Sequence, residues 1–136
     1  MQANEHLAAP PRERSWRARV VLWGIGLAAI GVAGFALYVW IALHLSYSSG
    51  ERVGYMQKFS HKGWVCKTWE GELAMVTMPG VMGEKFFFTV RDEKVAADLN
   101  GAVGRRVALH YEQHPGIPTS CFGETEYFIT RMQVAE

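Results

Sequence analysis

The chain has 136 residues, 49% of them hydrophobic and 20% charged, with a formal net charge of +1. That length holds one domain of ordinary size and excludes a two-domain nucleotide-dependent dehydrogenase, a TIM barrel and a protein kinase. The near-zero charge argues against a dedicated nucleic-acid binder, which carries a basic excess.

Residues 1–19 form a basic tail with Arg12, Arg14, Arg17, Arg19 and the pair Pro10-Pro11, too poor in apolar residues to build a core. The next stretch, 20–45, has 26 residues, 21 of them hydrophobic, and no Asp, Glu, Lys or Arg. It exceeds the roughly 20 residues that cross a hydrocarbon core of about 30 Å. It is also longer than the apolar region of a cleaved signal peptide, roughly 7–15 residues. The stretch therefore reads as a retained transmembrane helix. Trp23, Tyr38 and Trp40 lie near its ends, where amphipathic rings favour the water–lipid boundary.

The arginines before the span, and the lack of positive charge in 45–50, set the orientation. They predict a single-pass protein of a bacterial inner membrane, with a cytoplasmic N-terminus and a periplasmic domain at 46–136. Within the span, Gly24-Ile25-Gly26-Leu27-Ala28-Ala29 matches G-x-G-x-x-A, but no strand precedes it, so the dinucleotide reading fails. Gly24, Ala28 and Gly31 instead make a small-residue stripe suited to packing against another membrane protein or a second copy. Glycine is common in membrane helices without such a role.

Residues 46–136 read as mainly β. A first strand is predicted at 53–60, closed by His61-Lys62-Gly63, and a second, long one at 64–78. In the second, Val65, Trp69, Leu73 and Met75 share one face, and Gly71 marks a bulge. A third strand spans 86–90. Asp92 is a suitable N-cap for a short helix at 92–100, stopped by Asn100-Gly101. Alternation resumes at 105–113, with Val107, Leu109 and Tyr111 inward, and a last strand follows at 126–134. Three strands, one helix and two strands is the order of the OB-fold, a five-stranded partly open barrel. The expected architecture is therefore an OB-like barrel with one short helix, behind a single transmembrane helix. An open sheet with a helical lid is the alternative.

Cys66 and Cys121 are the only cysteines, and both fall on the periplasmic side. In an oxidising compartment a pair in a small domain reads as a structural disulfide. Cys-x-x-Cys is absent, which leaves little for redox catalysis. His61, His110 and His114 read as surface histidines: positions i and i+4 of a strand stand about 13 Å apart, too far to share an ion. Glu70, Glu72, Glu124 and Glu126 alternate with apolar residues as a solvated face does. Trp64, Trp69, Phe122 and Tyr127 are either core or a binding patch, with core as the default. No catalytic motif is present. No catalytic residue, cofactor or metal is expected.

The segments Lys62-Gly63-Trp64-Val65-Cys66-Lys67-Thr68-Trp69-Glu70-Gly71-Glu72-Leu73, Phe88-Thr89-Val90-Arg91-Asp92 and Gly123-Glu124-Thr125-Glu126-Tyr127-Phe128 resemble a family of short bacterial single-pass membrane proteins with a small periplasmic β domain. Some of its members carry a 6-phosphogluconate dehydrogenase label, which this length and motif content do not support. The resemblance carries no functional residues over. In layout alone, the chain is also similar to the haem chaperone of cytochrome c maturation. The functional expectation is a non-enzymatic, membrane-anchored binding or accessory module, assisting an envelope or respiratory membrane complex. The alternative is a periplasmic redox or haem-handling factor. The expected partners are the lipid bilayer and another membrane protein or second copy through the helix, with no nucleic acid.

Overall fold

The first helix, α1 (Trp16–His44), has 29 residues, enough at 1.5 Å per residue to reach about 43 Å. Helix geometry closes every interior backbone hydrogen bond within the segment, so an uninterrupted apolar stretch needs no outside partner for its peptide groups. The computed structural model describes residues 15–75 and 79–136 and divides into two compact units, 1–37 and 38–136. The expectations for residues 1–14, Arg12 and Arg14 included, lie outside the described residues. The helix begins four residues before the predicted span and takes in Arg17 and Arg19. Gly24, Ala28 and Gly31 lie along it, and beyond the helix's own backbone a Cβ placed on either glycine would meet none of the described residues within 4 Å.

In the second unit five strands close a barrel in the order β1-β2-β3-β5-β4. They are β1 (Ser48–Lys62), β2 (Thr68–Met75), β3 (Lys85–Val90), β4 (Arg106–Gln113) and β5 (Tyr127–Val134), with α2 (Glu93–Asn100) between β3 and β4. All pairings are antiparallel except β3 with β5, which meet in parallel at Thr89 and Phe128. This is the OB-fold that the element order predicts.

The barrel closes because β1 is longer than the predicted 53–60 and serves two neighbours. Its first half pairs with β4 and its second with β2, and Gly54 stands at the crossing, opposite both Val107 and Met75. A Cβ there would come within 2.3 Å of the Ala74 carbonyl oxygen, so only glycine allows the strands to approach so closely. The bulge lies in β1, between Met56 and Lys58, and not at Gly71 as predicted. Gly71 is regularly paired with Phe59 and Phe88. Its missing side chain makes room for the Phe88 ring, whose Cζ lies 2.3 Å from where a Cβ would be.

The second strand is shorter than predicted. Val65 and Cys66 belong to the β1–β2 loop, and Val65 is 95% exposed and so not on the inner face. The predicted end of that strand at 76–78 lies outside the described residues. Inside the barrel, Phe88, Met56, Leu73, Val107, Leu109 and Ile129 are all at or below 2% exposure. Burying side chains of this size contributes roughly 1.5–3 kcal/mol each.

The short helix α2 adds Ala96 and Leu99 to the core. Asp92 caps it as predicted, its Oδ1 accepting from the amides of Lys94 at 2.8 Å and Val95 at 3.3 Å. The stop differs: Gly101 keeps a helical φ of −73°, and the left-handed turn comes at Gly104, φ +85°. Asp92→Ala is expected to cost about 1 kcal/mol through the lost cap. A urea melt of the variant checks this, and an unchanged midpoint would show that the cap is idle.

Candidate functional site

The β1–β2 loop (residues 63–67) and the β4–β5 loop (114–126) meet at one end of the barrel. The Cys66–Cys121 disulfide joins them, with Cα atoms 4.9 Å apart and 55 residues between the cysteines. Beside it the Lys62 ammonium lies 2.7 Å from the Glu124 carboxylate, and this hydrogen bond holds the lysine above its usual range. Backbone conformation fixes both loops. Gly63 (φ +143°) and Gly123 (φ +155°) adopt angles that L side chains rarely take, and a Cβ on Gly63 would overlap the Cys66 carbonyl.

Beneath the loops sits Glu70, only 7% exposed, where the sequence predicts a solvated strand face. Its carboxylate accepts from the Thr68 hydroxyl at 2.7 Å, the Thr89 hydroxyl at 2.8 Å and the Glu124 amide at 3.0 Å. Three donors compensate for its burial, and they tie β2, β3 and the β4–β5 loop to one anion. Alternation along β2 could not reveal this, because the third donor arrives from a loop 54 positions away. Glu72 follows the prediction more closely, pairing with Lys85 at 2.6 Å.

The four aromatic residues of the predicted patch separate. Trp64 projects from the β1–β2 loop, fully exposed at 103%. Trp69 is half-buried, stacked on Phe59 at 5.1 Å and His61 at 4.3 Å, with its indole N–H donating to Glu93. Tyr127 packs edge-on against Phe86 and Tyr111 beside the core. Phe122 is half-buried in the β4–β5 loop. Next to the disulfide, Trp64 and Val65 are left in the open, and the face predicted for Val65 with Trp69, Leu73 and Met75 does not include it.

His114, predicted at the surface, is 3% exposed. Its Nδ1 donates to the carbonyl of Ala42 at 3.0 Å, its Nε2 lies 3.4 Å from Glu112, and its ring stacks on Phe128. The Tyr38 hydroxyl donates to the Gly116 carbonyl at 2.5 Å. The last turns of α1, from Tyr38 onward, thus belong to the domain: a carbonyl left open by the helix end finds its donor in the β4–β5 loop. His114→Ala removes that donor from a buried site. The expected loss is about 1–3 kcal/mol, read from the thermal melt, with faster protease cleavage at 45–47. Unchanged cleavage would mean that the clasp does not hold the helix end. His61 is exposed, while His110 is half-buried with an Nδ1 that has no partner among the described residues.

A third surface lies on the outer face of β1–β2–β3, a small cleft of about 90 Å³ near Lys58, Ser60, Glu72 and Phe87. Phe87 is 55% exposed there.

The barrel and its loops define an OB-fold domain. Its architecture is similar to that of a mitochondrial single-stranded DNA-binding protein of S. cerevisiae, with a TM-score of 0.51 and 12% identity over 66% of this chain and 95% of that one. No family model and no curated protein matches the chain. The likeness overturns the expectation that nucleic acid is no partner. That exclusion rested on net charge, on the expected compartment and on the lack of a basic groove in the sequence, none of which reports how charge and aromatic rings are laid out on a barrel face. The same barrel serves a protein that binds single-stranded DNA.

Proposed function

We propose that the chain is a single-pass inner-membrane protein whose OB domain acts in the periplasm as a non-enzymatic binding module, assisting an envelope or respiratory membrane complex. The exposed pair Trp64 and Val65, on a loop held by the Cys66–Cys121 disulfide, carries this reading. Large apolar side chains left in water on a crosslinked loop have a reason to be there when a partner covers them. The uncharged run from Val20 onward in α1 supports the membrane anchor, and a disulfide suits an oxidising compartment. Fractionation with protease protection tests location: the domain is expected to be digested from the periplasmic side and the N-terminus protected. Purification after gentle solubilisation tests the role. A component that co-purifies with the native chain but not with Trp64→Ala/Val65→Ser supports it, and a lone monomer in several detergents counts against it.

A second reading, single-stranded nucleic acid on the outer β1–β2–β3 face, draws on the likeness in fold and on Phe87 and Lys58, which line one cleft to either side of Glu72. Stacking and phosphate neutralisation are what that face would supply. Titration with an oligothymidylate separates the readings. Affinity that falls linearly with log salt and weakens in Phe87→Ala favours nucleic acid, and no binding at low salt removes it.

A further inference from the structure

We propose that the two stapled loops form a groove for a neutral oligosaccharide. This deepens the binding-module reading and rests on it, by giving the same surface a ligand class. The cleft between the loops, about 260 Å³, is lined by Trp64, Lys62, Thr68, Ser120 and Glu124. A second cleft of about 440 Å³ runs along the β4–β5 loop and shares Ser120 and Glu124 with the first. The two clefts are therefore adjacent, and the larger falls within the range of about 300–1,000 Å³ typical of ligand sites.

The groove's chemistry selects the class. Its ionisable side chains are Lys62, Glu124 and Glu126. Lys62 is already engaged by Glu124 at 2.7 Å. Among the described lining residues the surplus charge is a carboxylate, so a phosphate backbone entering here meets like charge, and the nearest other cation of the loop, Lys67, stands outside the lining. A polyhydroxylated neutral chain meets acceptors for its hydroxyls at Glu124 and Glu126, and groups that donate or accept at Thr68 and Ser120.

Trp64 supplies the remaining requirement, a broad rigid apolar plane for the C–H face of a sugar ring. An indole gives such area at small entropic cost, because only two torsions are fixed on binding. The groove is also pre-shaped. The disulfide fixes the two lips, Gly63 and Gly123 set their backbones, and Glu70 anchors the loop from below. A ligand entering it need not order the loops first, which lowers the cost of binding.

The test uses the full chain in lipid nanodiscs, without glycoside detergents, which would compete. It is titrated calorimetrically with neutral β-1,4-linked oligosaccharides of glucose and of N-acetylglucosamine, and separately with an oligothymidylate. Saturable, salt-independent binding of a saccharide series is expected, weakened about tenfold or more by Trp64→Ala, as for a central aromatic anchor, and less by Trp64→Phe. Glu124→Gln reports on the hydroxyl contacts. Trp64 is fully exposed among the described residues, so its variants are expected to fold, which a melt checks. The proposal is overturned if neither saccharide series binds at millimolar concentration. It is equally overturned if binding survives Trp64→Ala, or if oligothymidylate binds at these loops. If Trp64→Ala strips a protein partner while no saccharide binds, the groove proposal fails and the binding module stands. If the chain is not in the membrane fraction, the anchor fails whatever the sugars do.

Discussion

Replacing Cys66 and Cys121 with alanine together is expected to lower the stability of the domain by about 4 kcal/mol, the loop-entropy value for a closed loop of 55 residues. Small domains hold only about 5–15 kcal/mol in total, so the midpoint of thermal unfolding should fall by about 15 °C or more. The loss has two sources. The unfolded chain regains the freedom that the crosslink removed. In the folded state the β4–β5 loop loses its covalent tie, and the contacts around Glu70 must hold it alone. Reduction of the native chain should reproduce the shift, and urea melts of the oxidised, reduced and double-alanine proteins measure it. A change below about 1 kcal/mol would mean that the hydrogen bonds to Glu70 already fix the loop and that the crosslink is redundant. The single Glu70→Gln substitution in the reduced protein then tells which of the two ties dominates.

The elements that the sequence makes legible are those whose cause is local. Residues 20–45 are uncharged, apolar at 21 of 26 positions and long enough to span, and a helix follows from these local properties. Asp92 before an apolar i, i+4 pair announces α2, and the cap forms at the predicted residue. The count of strands around one helix is enough to name the barrel. The disulfide partners could be paired because there are no other cysteines. Features that depend on a second segment are the ones missed. The bend of β1 is a consequence of Gly54 lying against Ala74, which is distant in sequence and not foreseeable from alternation. Glu70 looked solvated because its β2 neighbours alternate, yet its third donor comes from the β4–β5 loop. His114 looked exposed beside Pro115, yet the end of α1 covers it.

The candidate site follows the same division. Trp64 was legible as one of four aromatic residues open to core or patch, with core as the default, and its companion was not among them. Val65 shares a face with Trp69, Leu73 and Met75 only if residues 64–78 form one strand. Gly63 and the disulfide instead lift residues 63–67 out of the sheet, and Val65 turns to solvent with Trp64. Ser120 and Glu124 gain significance only once the crosslink brings their loop alongside.

The Phe88–Gly71 contact carries the other large expected effect. Phe88 is fully buried at 0% exposure, and its ring fills the space left open by Gly71 across the β2–β3 pair. Phe88→Ala should cost about 3–5 kcal/mol, the transfer loss plus a cavity that a closed barrel has little freedom to collapse. Gly71→Ala should cost about 1–3 kcal/mol for the opposite reason: the new methyl must displace a ring wedged among Leu73, Phe86 and Val90. If the strand tolerates alanine and only the ring objects, the two losses cannot add. In the double variant the methyl enters space the ring has vacated, so Gly71→Ala becomes neutral or mildly stabilising against a Phe88→Ala background. A double-mutant cycle by urea unfolding is expected to give a coupling of about 1–3 kcal/mol. Simple additivity would mean that Gly71 is required by its backbone and not by the ring. Two measured losses that each exceed 1 kcal/mol but do not couple would then redirect attention to the pairing with Phe59, the other strand neighbour of Gly71.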